Sequence, residues 1–361
     1  MRKKVLILFY SQFGYHTDSY MYAKYVDKDR IDLHYCCFDM GLVKIEVPLI
    51  TVKYVPLFSN RLKSYILFFA VSKAYIIKEK FDLIFHIDTK FTLLLRILNL
   101  CSPMVLDIRS GDLSDKQYKL WLKNKQIAFS SMFYKKVSVI SESLSKELKL
   151  TAQKTTIIPL GGELQLFNPK QFESIKLLYI GSLNNRNVEQ TIIGFSYFKL
   201  KNPHIEISYD IIGFGSESIE KELENTIVKY KMSGFIKFHG RKKYPDIVAF
   251  LDDCNVGVVY IPQKRYYDFQ PSTKLYESLL AGMPVIATNT LENRQSLIKD
   301  CGVLCEDNPI SFAKALEIII QKKDNYNSQK IKQSYLESDW RYIVDNIWTP
   351  FILEAIKALN P

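Results

Sequence analysis

The stretch PSTKLYESLLAGMPVIATN, residues 271–289, reads as one helix followed by one strand. Ser272 and Thr273 follow Pro271 as helix-starting residues, the helix ends at Ala281-Gly282, and Pro284 opens a buried run of Val and Ile. Lys274 and Glu277 lie three apart and share one face of that helix. A phosphate group at such a helix start would meet free backbone amides, the positive end of the dipole and the Lys274 ammonium together. Glu277 would then be placed to accept hydrogen bonds from the ribose hydroxyls of the same nucleotide. The same spacing equally suits an ordinary surface pair that steadies a helix by about 0.2–0.5 kcal/mol.

Working outward, short apolar runs bounded by polar or glycine-containing turns recur along the chain: VLILFY, FDLIFHID, MVLDI, VSVIS and TTIIPLG, then KLLYIGS, EISYDIIGFG, FIKFHG, NVGVVYIP and MPVIATN. Each reads as a buried parallel strand. Segments of helical spacing with charged outer faces lie between many of them, such as SESLSKELKL, SIEKELENTIVKYK and PISFAKALEIIIQ. Strands alternating with helices give a doubly wound α/β pattern, here twice over. The polar stretch LFNPKQFESI, residues 166–175, separates the two sets, so domains are expected at 1–170 and 171–340. Ligands collect where loops leave the carboxyl ends of such strands, which makes the residues just after each strand the candidates. They are Gly14, His16, His86, Asp88, Asp107, Arg109 and Asp112 in the first half, and Gly181, Ser182, Arg186, Gly213, Gly215, His239, Gly240 and the segment from Tyr260 to Glu277, which holds Asp268, Lys274 and Glu277, in the second. His86, Asp88 and Asp112 also fit an ordinary polar role at strand ends.

The chain has 361 residues, 47% of them hydrophobic, enough for two globular cores. Its net charge of +11 is confined to one half: residues 1–170 hold 26 Lys and Arg against 15 Asp and Glu, while residues 171–361 hold 23 of each. Such asymmetry points to a negatively charged partner of the first half, or to a merely soluble basic face. The opening MRKKVLILFY has too short an apolar run for a signal peptide, and the stretch from Tyr65 to Ile77 is too short to span a bilayer, so a cytoplasmic protein without a transmembrane segment is expected. Six scattered cysteines show no zinc-ligand spacing and read as reduced, buried thiols, with no metal expected.

Several stretches together carry a resemblance to the retaining family 4 glycosyltransferases of the GT-B type. Residues 271–289 resemble the family's donor-site helix and strand, LLYIGSLNNRNVEQTI its first donor-domain strand and phosphate loop, and DIIGFGSESIEKEL its Gly-x-Gly turn. IKFHGRKKYPDIVAFLDDCNVGVVYIP is similar to the strand, helix and strand before the donor helix, and VSVISESLSKEL with IIPLGGELQLFNP to the close of the N-terminal domain. SDWRYIVDNIWTPFI looks like the tryptophan-marked helix that crosses back, so residues of about 341–361 are expected to join the first domain.

The resemblance implies two Rossmann-like domains facing across a cleft, the first binding an acceptor and the second a UDP- or GDP-sugar. It further implies transfer with retention to a saccharide or polyprenyl-linked acceptor in bacterial surface-polysaccharide synthesis, without metal or cofactor. Arg186 and Lys274 are implied to neutralise the diphosphate as the catalytic pair, and Glu277 to hold the ribose. Two departures stand out. Gly181-Ser182 replaces the usual Gly-Arg, and Phe269, beside Asp268, occupies the position of a sugar-binding Glu. These leave open a non-catalytic nucleotide-binding partner of another transferase. A dinucleotide-dependent dehydrogenase is disfavoured because Gly213-Phe214-Gly215 lacks the third glycine of that fingerprint, and no stacking motif supports nucleic-acid binding. In RLKSYILFFAVSKAYIIKEKF, Leu62, Tyr65, Ile66, Phe69, Ser72 or Lys73, and Ile76 follow helical spacing, which suits either a core helix or one lying on an anionic membrane.

Overall fold

The computed structural model describes residues 2–111, 117–165 and 167–360. The chain divides into two compact units, Met1–Leu160 with Trp340–Pro361, and Gly161–Asp339. Residues 161–165 and 167–170, expected at the end of the first domain, pack instead with the second. Gly162 bridges Asp339, the Leu164 N–H donates to the Asp339 carboxylate at 2.9 Å, and the Lys170 ammonium donates to the carbonyls of Leu251 and Asp252.

The first unit is built on a seven-stranded sheet of β1 (Lys3–Leu8), β2 (Ile31–Asp39), β3 (Thr51–Pro56), β4 (Leu83–Ile87), β5 (Met104–Ile108), β6 (Val137–Val139) and β7 (Thr155–Ile157). The order is β3-β2-β1-β4-β5-β6-β7 and every pairing is parallel. β4 and β5 are buried along their whole length, which is why they read as unbroken apolar runs. Helices α1 (Thr17–Tyr25), α2 (Arg61–Glu79), α3 (Thr92–Leu98), α4 (Gln117–Ser131) and α5 (Glu142–Glu147) connect the strands. The C-terminal segment closes this unit: Trp340 and Trp348 are fully buried, and Trp348 stacks on Tyr22 of α1 at 5.0 Å and meets Phe85 of β4 edge-on at 5.8 Å.

The second unit has six parallel strands, β8 (Ile175–Ser182), β9 (Ile207–Phe214), β10 (Ile236–Phe238), β11 (Val256–Val259), β12 (Val285–Thr288) and β13 (Gly302–Cys305), in the order β10-β9-β8-β11-β12-β13. Its helices are α6 (Glu189–Lys201), α7 (Glu217–Lys229), α8 (Tyr244–Asp253), α9 (Arg265–Asp268), α10 (Thr273–Leu280), α11 (Leu291–Ser296), α12 (Pro309–Gln321) and α13 (Ser328–Gln333). β8 lies at the point where the strand order reverses, between β9 and β11, and the loops leaving it open on the position where doubly wound sheets hold ligands.

No helix of the described residues is long and apolar enough to cross a membrane. The face expected on α2 is rearranged: Leu62 and Ile66 are exposed, Tyr65 and Phe69 half-buried, and Ile76 buried with Ser64, Phe68 and Ser72. Of the cysteines, Cys101 is exposed and the other five are buried.

Arg109 lies in the core of the first unit, its Nε donating to Asp18 of α1 at 2.5 Å and its Nη1 to the Ile158 carbonyl at 2.7 Å. Asp107, buried beside it, is pushed up to about 6 by desolvation, against the pull of the guanidinium. Arg109→Ala would strand two buried carboxylates, and removing one member of a buried pair costs about 3–5 kcal/mol. Urea denaturation followed by tryptophan fluorescence should therefore show the first unit unfolding at markedly lower denaturant; an unchanged midpoint would contradict a structural role.

Candidate functional site

The first turn of α10 is the centre of the site. Ser272 precedes it in extended conformation and makes no side-chain cap bond, and a helix start leaves its first amides without partners inside the helix. Lys274 projects from this turn to the end of β8. Its ammonium donates to the Tyr179 hydroxyl at 3.2 Å and lies 4.5 Å from the centre of that ring. Tyr179 in turn donates to the Ser182 carbonyl at 2.7 Å, and burial keeps its hydroxyl protonated. Space for the lysine comes from Gly181, where a Cβ would stand 2.2 Å from Lys274 Cε and where φ is +145°. Leaving β8 by way of Gly181 therefore sets the lysine's position.

Arg186 stands on the loop after β8, which turns through Asn185 and Asn187, both with positive φ. Its guanidinium lies over the Tyr267 ring at 4.5 Å and donates from Nη1 to the Tyr267 hydroxyl, while Nε is buried without a partner. Arg186, Tyr267, Gln270, Pro271 and the residues through Lys274 line a cavity of about 200 Å³. Neither cation has a carboxylate within ion-pair distance among the described residues. Positive charge so placed is available to an anion entering the cavity.

Glu277, one turn on, is pressed from behind by Gly162, whose Cβ would stand 2.7 Å from the Glu277 amide nitrogen. By area Lys274 and Glu277 are half-buried, but their charged ends lie deep among protein atoms. Burial, with the Arg186 charge adding, lowers the Lys274 ammonium to about 7. Burial also raises the Glu277 carboxyl to about 7, Lys274 opposing and Glu163 adding to the rise.

The other second-unit candidates frame this centre. A Cβ on Gly213 would stand 2.4 Å from the Gly181 carbonyl, so the ends of β8 and β9 meet backbone to backbone. The Gly215 N–H donates to Glu220, the Ser182 hydroxyl accepts from the Asn184 N–H, and the Asn184 side chain accepts from the Ser216 N–H, tying the two loops together. Asp268 points elsewhere: one of its oxygens accepts from the Leu291 N–H at 3.2 Å, at the start of α11.

In the first unit the candidates separate. His16 caps α1, its Nδ1 accepting from the Ser19 N–H, and burial lowers its pKa. Gly14, with φ +91°, packs on Ile45. His86 is a core residue joined to the Tyr134 hydroxyl at 2.7 Å and held neutral by burial, at about 3, so it presents nothing to a ligand. Arg109 is consumed by its pair with Asp18. Asp88, raised to about 6 by burial, lines a cavity of about 380 Å³ at the ends of β4 and β5, with Lys90, Ser110, Lys123 and Gln126. Asp112 lies outside the described residues. Sequence reasoning reached Tyr267 only as part of the segment from Tyr260 to Glu277 and passed over Tyr179 and Gly162; Tyr179 was hidden in a strand, and the GGE of residues 161–163 followed a strand of the other unit.

Residues 174–322 match the family model Glycosyl transferases group 1. The whole chain has the fold of GT-B glycosyltransferases. It is similar to sucrose-phosphate synthase from Thermosynechococcus elongatus, with a TM-score of 0.74 and 15% identity over 98% of this chain and 99% of that one. It is similar to the lipopolysaccharide outer core galactosyltransferase WaaB, with a TM-score of 0.72 and 12% identity over 98% and 99% of the two chains. Anabaena Alr3699/HepE, solved in complex with UDP and glucose, superposes with a TM-score of 0.71 and 15% identity over 98% of this chain and 100% of that one. At such identities the likeness is one of fold. A search of curated proteins gives no match.

An anion beside Lys274 favours its charged form and lifts its pKa above about 7. Binding of UDP at about pH 8 should therefore take up protons, and affinity should fall as pH rises from about 7 towards the pKa of the bound state. Calorimetry in buffers of different ionisation enthalpy reads this directly. Proton release at that pH, or uptake that survives Lys274→Met, would place the anion elsewhere.

Proposed function

We propose that the chain transfers a sugar from a nucleoside-diphosphate sugar, UDP- or GDP-linked, held by the second unit, to a hydroxyl of a saccharide or polyprenyl-linked acceptor. The observation that carries this reading is the pair of cations, Arg186 and Lys274, set on tyrosines beside the open start of α10 with no carboxylate at ion-pair distance among the described residues. Expelling a nucleoside diphosphate is the costly event, and fixed positive charge at the phosphates is worth most where negative charge grows, in the transition state. Arg186 offers a planar fork to two phosphate oxygens, Lys274 a point charge, and the amides of Thr273 and Lys274 the helix dipole. Glu277, one turn along, accepts from the ribose hydroxyls.

In the transfer we envisage, the bond from the anomeric carbon to the phosphate oxygen breaks and the acceptor oxygen bonds to that carbon on the same face. The acceptor proton passes to the departing phosphate, which gives retention without a protein nucleophile. Two protein cations do the work a metal would otherwise do, so we read the transfer as metal-independent. The basic first unit suits an acceptor met at an anionic membrane surface on the cytoplasmic side, in keeping with surface-polysaccharide assembly. The commitment of Asp268 to the Leu291 amide favours a second reading, a nucleotide-binding partner without turnover.

Screening nucleotide sugars for slow hydrolysis by the purified protein decides between the two, since only an enzyme releases nucleoside diphosphate. Glu277→Ala should weaken nucleotide binding about tenfold or more, the loss of one charged hydrogen-bond acceptor at roughly 1.5–3 kcal/mol. Arg186→Ala and Lys274→Ala should lower kcat more than donor affinity, and EDTA should change neither. Full turnover in both cation variants would remove the proposed chemistry.

A further inference from the structure

Three consecutive helices of the first unit bury small polar residues beside Phe68, Ile76, Leu95 and Leu120, and leave large apolar side chains exposed among their lysines. α2 buries Ser64 and Ser72 yet exposes Leu62, Ile66 and Ile77. α3 buries Thr92, with Asn99 just beyond it, and exposes Leu94 and Ile97. α4 is the extreme case: it turns Ser130 and Ser131 inward, while Trp121 and Phe129 stand 55% and 51% exposed. Along α4 the exposed residues Tyr118, Leu122, Lys125 and Phe129 follow one another at three- and four-residue steps, a single stripe on one side of the helix, with exposed Met132 just past its end. The helices are neighbours. Phe91, at the start of α3, meets Tyr65 of α2 at 5.1 Å, and Arg96 of α3 donates to the Phe133 carbonyl just beyond α4 at 3.0 Å.

We infer that the outer side of α2, α3 and α4 docks on the surface of an anionic lipid bilayer. Contiguous exposed apolar surface marks an interaction site, and the charge around it selects the occupant. The three helices carry eight Lys and Arg against one acidic residue, Glu79. Lysines flank or punctuate the apolar stripe, and Lys125 lies 3.9 Å from the centre of the Trp121 ring. Aliphatic and aromatic side chains enter the acyl boundary while long lysine stems reach back to phosphate headgroups. Trp121 and Tyr118 have the amphipathic rings that settle at that boundary. A second copy of this face would bring like charge against like, which disfavours a symmetric dimer through it. With no helix able to cross, the face lies on the bilayer and does not enter it as a span.

This inference rests on the reading of the first unit as the membrane-facing one. Vesicle binding needs no nucleotide, however, so its failure is separable from failure of the donor site. Flotation with mixed phosphatidylcholine–phosphatidylglycerol vesicles should carry the full-length protein upward at low salt, release it as salt rises, and leave it behind with pure phosphatidylcholine. Trp121→Ser combined with Phe129→Ser, and separately Lys119→Gln with Lys125→Gln, should each lower partitioning about tenfold or more. Both double variants should keep the wild-type affinity for UDP and the wild-type thermal midpoint. Wild-type protein indifferent to anionic vesicles, or double variants that float as well as the wild type, would overturn the proposal. So would a dimer in light scattering that Trp121→Ser dissociates while vesicle binding is absent.

Discussion

The second unit depends on backbone meeting backbone at distances no side chain allows. Gly213 lies against the carbonyl of Gly181, and Gly162 lies against the amide of Glu277. Gly181 itself gives way to the Lys274 side chain. These approaches draw the ends of β8 and β9, the first turns of α10 and the loop at residue 162 around one small volume. A methyl group at any of the three would need something to shift, and at Gly162 and Gly213 the obstructing atoms are backbone, which cannot swing aside. The geometry of the anion cavity is therefore set by what is missing from the side-chain inventory as much as by the charged groups in it.

The electrostatics follow from that crowding. Lys274 and Arg186 rest on aromatic faces, which attract a cation without neutralising it, and both lose hydration in doing so. Desolvation holds Lys274 near the point of losing its proton. A carboxylate partner would have relieved that tension and filled the site. With none among the described residues the cost remains, and an anion entering the cavity would relieve it, so that binding free energy and protonation would be linked at the same atom. In the first unit Arg109 has its carboxylate and His86 its tyrosine, and both belong to the core.

The fold was largely legible because parallel strands buried on both faces leave unbroken apolar runs, as in β4, β5 and β12. β2, IDLHYCCFD, was not recognised because His34 and two cysteines interrupt the run, although they are buried. β3, TVKYVP, and β13, GVLC, lie at sheet edges, where one side stays open and the apolar signal weakens. Lys274 and Glu277 were legible from one helix alone. The partners that give them their properties, Tyr179 and Gly162, come from distant parts of the sequence and could not be placed by spacing. Helical periodicity also says that α2 has an apolar side without saying which way it turns; the helix buries Ser64, Phe68, Ser72 and Ile76 and leaves Leu62 and Ile66 outside.

The return of the chain to its first unit reverses the order of birth and completion. The strands of the first sheet are all synthesised by Ile157, but Trp340 and Trp348, which seal Tyr22 and Phe85, follow nearly two hundred residues later. The second unit, contiguous from Gly161 to Asp339, has its whole core on hand before either tryptophan leaves the ribosome. Domains usually mature in the order of synthesis. Here the younger domain has all its residues first, and the aromatic seam of the elder is completed only by the tail.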